Sequence, residues 1–124
     1  MGHLGVKLAR VAPGEVDLVV AFEAGLTQQH GFFHAGVTAT IADSAAGYAA
    51  LSLFAPGTGI LTTEFKINLL NPARGDMLLA RGRVIKPGRT LTVCRSDVAA
   101  VKDGVETLIA TGLFTLMQVE GLED

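Results

Sequence analysis

Charged residues and cysteine are scarce in this sequence of 124 residues, and both scarcities exclude function classes. Its 10 Lys and Arg are interspersed with 12 Asp and Glu, so the chain lacks the basic stripe that nucleic-acid binding requires. The only cysteine, Cys94, excludes an internal disulfide framework and a cysteine-based metal site, and we expect it to be an inert core or interface thiol. No cluster of His, Cys and carboxylates has metal-ligand spacing, so no metal or redox cofactor is expected.

The start of the chain also lacks a targeting pattern. Met1 to Gly5 has no charged segment followed by an apolar one, as a secretion signal would have. Together with the single cysteine, this predicts a cytoplasmic protein. The length predicts one domain over residues 1–124, and a hydrophobic fraction of 49% leaves apolar surface for a partner copy, so we expect a homo-oligomer.

One long apolar stretch, rich in alanine, runs from His34 to Phe54. It predicts a helix from His34 or Ala35 to Phe54, because Pro56 and the glycines that follow it cannot continue a helix. Its length approaches that of a membrane span, but Asp43 near its middle favours a buried core helix and no membrane partner. A lone carboxylate in an apolar helix is costly unless partners or function justify it, so Asp43 is the first candidate functional residue.

Alternating apolar and polar residues between turn signals predict six strands. Their predicted bounds are Val6 to Val11, Glu15 to Glu23, Ile60 to Leu70, Asp76 to Lys86, Thr90 to Val101 and Glu106 to Val119. In the third, the pattern places Leu61, Thr63, Phe65, Ile67 and Leu69 on one face. In the last, it turns Leu108, Ala110, Phe114 and Leu116 inward. We expect a hairpin, one buried helix and a four-stranded meander, which is an α+β arrangement with an antiparallel sheet of about six strands.

Two segments resemble a known family. His30 to Val37 followed by Asp43, and Thr62 to Ala73 with its Phe-Lys-x-Asn-x-x-x-Pro pattern, are similar to the hotdog-fold acyl-CoA thioesterases of the phenylacetate-degradation (PaaI-like) type. The resemblance extends from about Val6 to Val119. It implies a sheet wrapped around the central helix, hydrolysis of an acyl-CoA to a free acid and coenzyme A, and a homodimer or dimer-of-dimers tetramer.

The resemblance also implies roles for individual residues. The amide of Ala35, with Gly36 beside it at the helix start, would hold the oxyanion of the thioester, while Asp43 of the partner subunit attacks the carbonyl or activates water. Gln28 would hold the carbonyl or the water, and Thr62, or Thr63 if the strand is shifted by one residue, would position the water. Many relatives have glycine at position 35, and alanine keeps the donor if its φ is negative.

Other candidates carry alternative roles. His34 is expected to orient the loop at the helix start rather than to act as a base. Three turn residues are candidates for contacting the phosphates of coenzyme A: Arg74, Lys86 and Arg89. His34 and Asp43 together would also suit a hotdog enoyl-thioester hydratase or dehydratase, and a non-catalytic acyl-CoA-binding module is the third possibility. The acyl or aryl preference is left open by the sequence.

Spacing along the helix determines how the site must be assembled. Asp43 lies eight residues after Ala35, a separation of about 12 Å at the helical rise per residue. One helix therefore cannot bring both groups to one carbonyl, and we expect the site to be shared between subunits.

Overall fold

The computed structural model describes residues 5–21 and 33–121. In chain order, the elements are β1 (Val6–Ala12), β2 (Glu15–Ala21), α1 (Ala35–Leu51), β3 (Thr58–Leu69), β4 (Met77–Lys86), β5 (Leu91–Lys102) and β6 (Val105–Glu120). These bounds confirm the predicted order of two strands, one helix and four strands. Within the described ranges, no helix is long and apolar enough to cross a membrane.

All six strands form one antiparallel sheet in the order β1-β2-β4-β5-β6-β3. The predicted four-stranded meander is wrong for β3, which pairs with β6 and forms an edge, so that only β4, β5 and β6 are a meander. The segment between β3 and β4 crosses the end of the sheet. The backbone N–H of Phe33, just before α1 begins, donates to the carbonyl of Ala73 in this segment at 2.8 Å. The helix entry is thereby tied to the end of β3.

The helix lies very close to the middle of the sheet. Small residues make this possible, because Ala42, Ala45, Ala46 and Ala49 are fully buried against the strands. A Cβ placed on Gly82 of β4 would lie 2.2 Å from the carbonyl oxygen of Ala45. The close approach is therefore a property of the backbone at this point, and no larger residue fits there.

The helix ends earlier than predicted. It stops at Leu51, and Ser52 to Phe54 continue as a tight turn with bonds from Leu53 N–H to Ala50 and from Phe54 N–H to Leu51, both 3.0 Å. The hydroxyl of Ser52 donates to the Ala49 carbonyl and accepts from the amide of Gly14. This pair of bonds fastens the helix end to the β1–β2 turn.

Register shifts account for two errors in the predicted faces. Between Val98 and Ala99 of β5 the register with β6 shifts by one residue, so Ile109 is buried and Leu108, predicted to face inward, is 43% exposed. A second shift lies between Thr62 and Glu64 of β3. Alternation assumes an unbroken period of two, and a bulge moves every later side chain to the other face.

The face of the sheet away from the helix carries four ion pairs among the described residues. Arg10 with Glu15 and Arg83 with Asp17 join neighbouring strands, Arg81 of β4 reaches across β5 to Glu106 of β6, and Arg95 pairs with Asp97 within β5. The Arg81 guanidinium donates to both carboxylate oxygens of Glu106 and lowers its pKa. Such exposed pairs contribute little to stability.

Candidate active site

Asp43 lies in the middle of α1 and is half-buried, with one well-defined partner. The hydroxyl of Thr62 on β3 donates to its Oδ1 at 2.7 Å. Asp43 and Thr62 line a cavity of about 260 Å³ with Ser44, Tyr48 and neighbouring residues of β3. A hydroxyl that donates to one oxygen of a carboxylate fixes the orientation of that carboxylate.

The bulge in β3 selects Thr62 over its neighbour. Thr62 is paired with Leu116, which is fully buried on the helix side, whereas Thr63 lies in the register shift and donates to the carbonyl of Thr115 at 3.2 Å. The predicted face was therefore wrong for Thr63: Thr62 shares the helix side of the strand with Phe65. Bulges commonly redirect a side chain beside an active site in this way.

The start of α1 forms a second polar centre. His34 is the N-cap residue, with φ −63° and ψ 143°, and its carbonyl accepts from Val37 at 3.0 Å and from Thr38 at 3.3 Å. Its side chain makes no capping hydrogen bond within the described part of the chain, and the first turn holds no acidic residue. Ala35 and Gly36 follow it as exposed helical residues. This end carries the positive part of the helix dipole and N–H groups suited to an anion.

A cavity of about 440 Å³ adjoins this helix start. Ala35 and Thr38 line it from the helix, and Leu69, Leu70 and Asn71 line it from the end of β3 and the loop after it. Sequence patterns missed these three residues as site residues, although an Asn-Pro turn after an apolar strand marks the place where the chain leaves the sheet. The helix start thus has a preformed apolar cavity beside it.

The two centres of one chain lie apart. Ala35 and Asp43 are separated along the same helix by about 12 Å, and each lines its own cavity. The predicted separation is confirmed within the chain. The structure does not bring His34 together with Asp43 either, since they are nine helix positions apart.

The basic candidates divide between the same two ends. Arg74 is exposed in the loop near the helix start. Lys86 and Arg89 are exposed at the β4–β5 turn, at the other end of the sheet, where Leu91 and Leu61 both pair with Met117. Gln28 lies outside the described residues. Among the described residues, no group of three or more His, Cys, Asp and Glu is placed to hold a metal ion.

Comparison with known proteins identifies the family. Residues 30–107 match the thioesterase superfamily. The chain is 49% identical to a thioesterase family protein from Silicibacter pomeroyi, covering 98% of this chain and 89% of that one with a TM-score of 0.95. It is 30% identical over 111 residues to acyl-coenzyme A thioesterase 13 of Homo sapiens, covering 89% of this chain and 77% of the relative.

A more distant structure shares the architecture. The PaaI protein from the phenylacetic acid degradation operon of E. coli is 22% identical, with a TM-score of 0.84 over 97% of this chain and 83% of that chain. At this identity the likeness concerns the fold, which is one sheet wrapped on one helix. The chain belongs to the thioesterase superfamily and is a thioester hydrolase with the hotdog fold.

Proposed function

We propose that this protein is an acyl-CoA thioesterase whose active site is completed by two copies of the chain. Asp43 with Thr62 comes from one subunit, and the amide of Ala35 comes from the other. One observation carries the proposal: Thr62 and Leu69, one at each centre, lie seven positions apart along β3, which is an edge strand. The name of the human relative, acyl-coenzyme A thioesterase 13, supports the substrate class.

Antiparallel pairing of β3 with β3 of a second copy would join the two centres. Thr62, beside Asp43, is the fifth of the 12 residues of β3, and Leu69, beside Ala35, is the last. A two-fold axis between Phe65 and Lys66 would lay Thr62 of one strand against Leu69 of the other. Each pair of subunits then contains two identical sites, each with one carboxylate and one helix start.

The surface of β3 suits such pairing. Phe65 and Leu69 are on the helix side of the sheet, yet they are 53% and 58% exposed, because the single helix lies over the central strands. Phe65 and Leu69 give this edge strand of 12 residues an exposed apolar face, which a second strand can cover. A homodimer is the smallest assembly that completes the site, and a tetramer would be a pair of such dimers.

The chemistry follows from the two centres. The thioester carbonyl would accept hydrogen bonds from the Ala35 amide, and negative charge developing on its oxygen would be stabilised by the helix start. As a general base, Asp43 would take a proton from water as the water oxygen attacks the carbonyl carbon. The tetrahedral intermediate would expel coenzyme A as a thiolate, which then takes a proton. As a nucleophile, Asp43 would attack the carbonyl carbon, the C–S bond would break to release coenzyme A as a thiolate, and water would hydrolyse the resulting acyl anhydride to the free acid and the Asp43 carboxylate.

The remaining candidates take supporting roles in this proposal. Gly36 has nothing within 4 Å of an added Cβ, so packing within the described chain does not require glycine there and a substrate can approach its backbone closely. His34 caps the helix start and orients it. Gln28 would hold the carbonyl or water. In the paired arrangement, Arg74 of one copy and Lys86 and Arg89 of the other come to the same end, where they would meet coenzyme A phosphates.

Ala35→Pro tests the oxyanion donor directly. Proline at the first position of a helix is structurally favoured, and His34 already has the extended backbone that precedes proline. The variant therefore removes one N–H with little change of fold. We expect thiol release from acyl-CoA substrates to fall by about a hundredfold or more, while Ala35→Ser, which keeps the amide, serves as the matched control. Equal activity of the two variants would contradict the donor role.

Mixing two inactive variants tests whether the site is shared. Asp43→Asn and Ala35→Pro would be unfolded together and refolded as mixed dimers. In each mixed dimer, one site would have both intact groups, so activity should return to about a quarter of the wild-type value, since about half of randomly formed dimers are mixed. A mixture as inactive as its parents would show that each site lies within one subunit.

Hydration of crotonyl-CoA by the wild-type protein without thiol release would instead favour the hydratase alternative.

A further inference from the structure

A third cavity, of about 410 Å³, lies between the C-terminal half of α1 and the β1–β2 hairpin. We refer to it as the β1 groove. Val16 and Leu18, which are 2% and 3% exposed, form its floor, while Leu8 and Val11, which are 61% and 57% exposed, stand at its rim. Its walls are almost entirely aliphatic. The hydroxyl of Ser52, which also lines it, is already engaged with Gly14 and Ala49.

The β1 groove meets the Asp43 cavity at one residue. Tyr48 lines both cavities, and no other residue in the described part of the chain does. It lies five positions beyond Asp43 on the helix, and the groove continues past it to Leu51 and Ser52. Tyrosine presents an apolar ring with a polar tip, which suits the boundary between a reacting carbonyl and an apolar chain.

We propose that the β1 groove receives the acyl chain of the substrate and that Tyr48 marks its entrance. The inference rests on the proposed acyl-CoA hydrolysis at Asp43. It assigns a medium-length aliphatic acyl group, because the groove is lined by aliphatic side chains and the path along the helix from Asp43 to Ser52 is about 13 Å, the extended length of roughly ten carbons. A cavity of this size and lining binds a small apolar ligand, whereas a protein partner would need a much larger surface.

A chain-length series of acyl-CoA substrates, from propionyl to palmitoyl, tests the assignment. Leu8→Trp places a large ring from the rim across the groove. We expect the ratio of kcat/KM for decanoyl-CoA to that for propionyl-CoA to fall by about tenfold or more, because buried methylenes lose their apolar contacts. Val105→Trp is the matched control, since Val105 is 65% exposed on β6 and lines none of the three cavities described above.

A binding measurement separates this inference from the proposed hydrolysis. Calorimetry on Asp43→Asn should show decanoyl-CoA binding at least about tenfold more tightly than propionyl-CoA, and Leu8→Trp in that background should remove the difference. Equal binding of both ligands, or an unchanged chain-length ratio in Leu8→Trp, would overturn the groove assignment. Chain-dependent binding without turnover of any acyl-CoA by the wild type would overturn the proposed hydrolysis and leave the groove intact. Val11→Trp replaces Leu8→Trp if circular dichroism shows that the latter is unfolded.

Discussion

The two edges of the sheet differ in length and in net charge. At one edge, β1 has seven residues and two exposed basic side chains, Lys7 and Arg10, with no acidic residue in the strand. At the other edge, β3 has 12 residues, and its exposed Glu64 and Lys66 balance in charge. Phe65 and Leu69 of β3, both more than half exposed, lie on the side where the helix covers the other strands.

These differences match the ways in which proteins protect or use strand edges. A short edge with charges of one sign disfavours pairing with a second copy of itself, and a long edge with balanced charges favours it. The β3 edge also lies beside both candidate centres, whereas β1 borders only the β1 groove. We therefore expect a second copy to pair at β3 and the β1 edge to stay free for the substrate.

The largest effect is expected from removing the carboxylate beside β3. Asp43→Asn keeps a side-chain oxygen that can accept from Thr62, so the fold should be unchanged while the base or nucleophile is lost. We expect thiol release to fall by at least about a hundredfold. Asp103→Asn is the control, because Asp103 lies in the β5–β6 turn at φ 51°, a conformation that asparagine also adopts. Full activity of Asp43→Asn would refute the mechanism.

A charge at the β3 edge should separate the subunits. In Phe65→Lys, a cation replaces an exposed aromatic ring that stacks on Phe114 with centroids 5.6 Å apart. We expect sedimentation to show monomers and activity to fall about tenfold or more, because the site loses its second half. Val11→Lys places the same charge at the β1 edge and should leave the assembly intact. If Val11→Lys separated the subunits and Phe65→Lys did not, the interface would lie at β1 and our assignment to β3 would be wrong.

A change at the centre of the sheet should lower the stability of the fold without changing which edge strand pairs with a second copy. Gly82→Ala would bring a methyl group against the Ala45 carbonyl, so α1 must shift. We expect the free energy of unfolding in urea, measured at fixed protein concentration, to fall by about 2 to 3 kcal/mol. Gly36→Ala meets no neighbouring atom and should cost no stability. Equal losses in both variants would show that the close approach of the helix is unimportant.

The smallest expected effect is on the pH dependence of stability, and it comes from Cys94, which is fully buried on β5 between the two edges. Burial raises the pKa of its thiol from 9.0 to about 12. The unfolded chain therefore releases this proton at a lower pH than the folded protein does. The stabilisation from keeping the buried thiol protonated is fully present below pH 9 and is lost as the pH rises from 9 to 12. Unfolding titrations of wild type and Cys94→Ala over this range should differ in slope, and iodoacetamide at pH 8 should label the thiol only in urea.

Much of the fold could be predicted because local signals dominate it. The turn residues located five connections between elements, and the alanine-rich segment with Asp43 predicted the one helix. The errors came from features with no local signal. Pairing of β3 with β6 joins residues 41 to 62 positions apart in the sequence, from Leu69 with Ala110 to Thr58 with Glu120. Bulges at Thr63 and near Ala99 reversed the faces predicted by alternation.

The candidate site shows the same division. A carboxylate in an apolar helix and residues typical of a helix start can be found in the sequence, because chemistry restricts which residue types occur there. The hydrogen bond from Thr62 to Asp43 depends on a bulge, so the sequence left Thr62 and Thr63 as alternatives. Only the packed structure shows that Tyr48 lines both the Asp43 cavity and the β1 groove.

By itself, the amino-acid sequence determined the helix, the turns, the strand order along the chain and the carboxylate at position 43, since each depends on neighbouring residues and their periodicity. Only the tertiary structure decided that β3 is an edge, that Thr62 donates a hydrogen bond to Asp43, and that the two centres lie at separate points along that edge. Strand pairing and register depend on contacts between distant segments, whose free energies are settled only when the whole core packs.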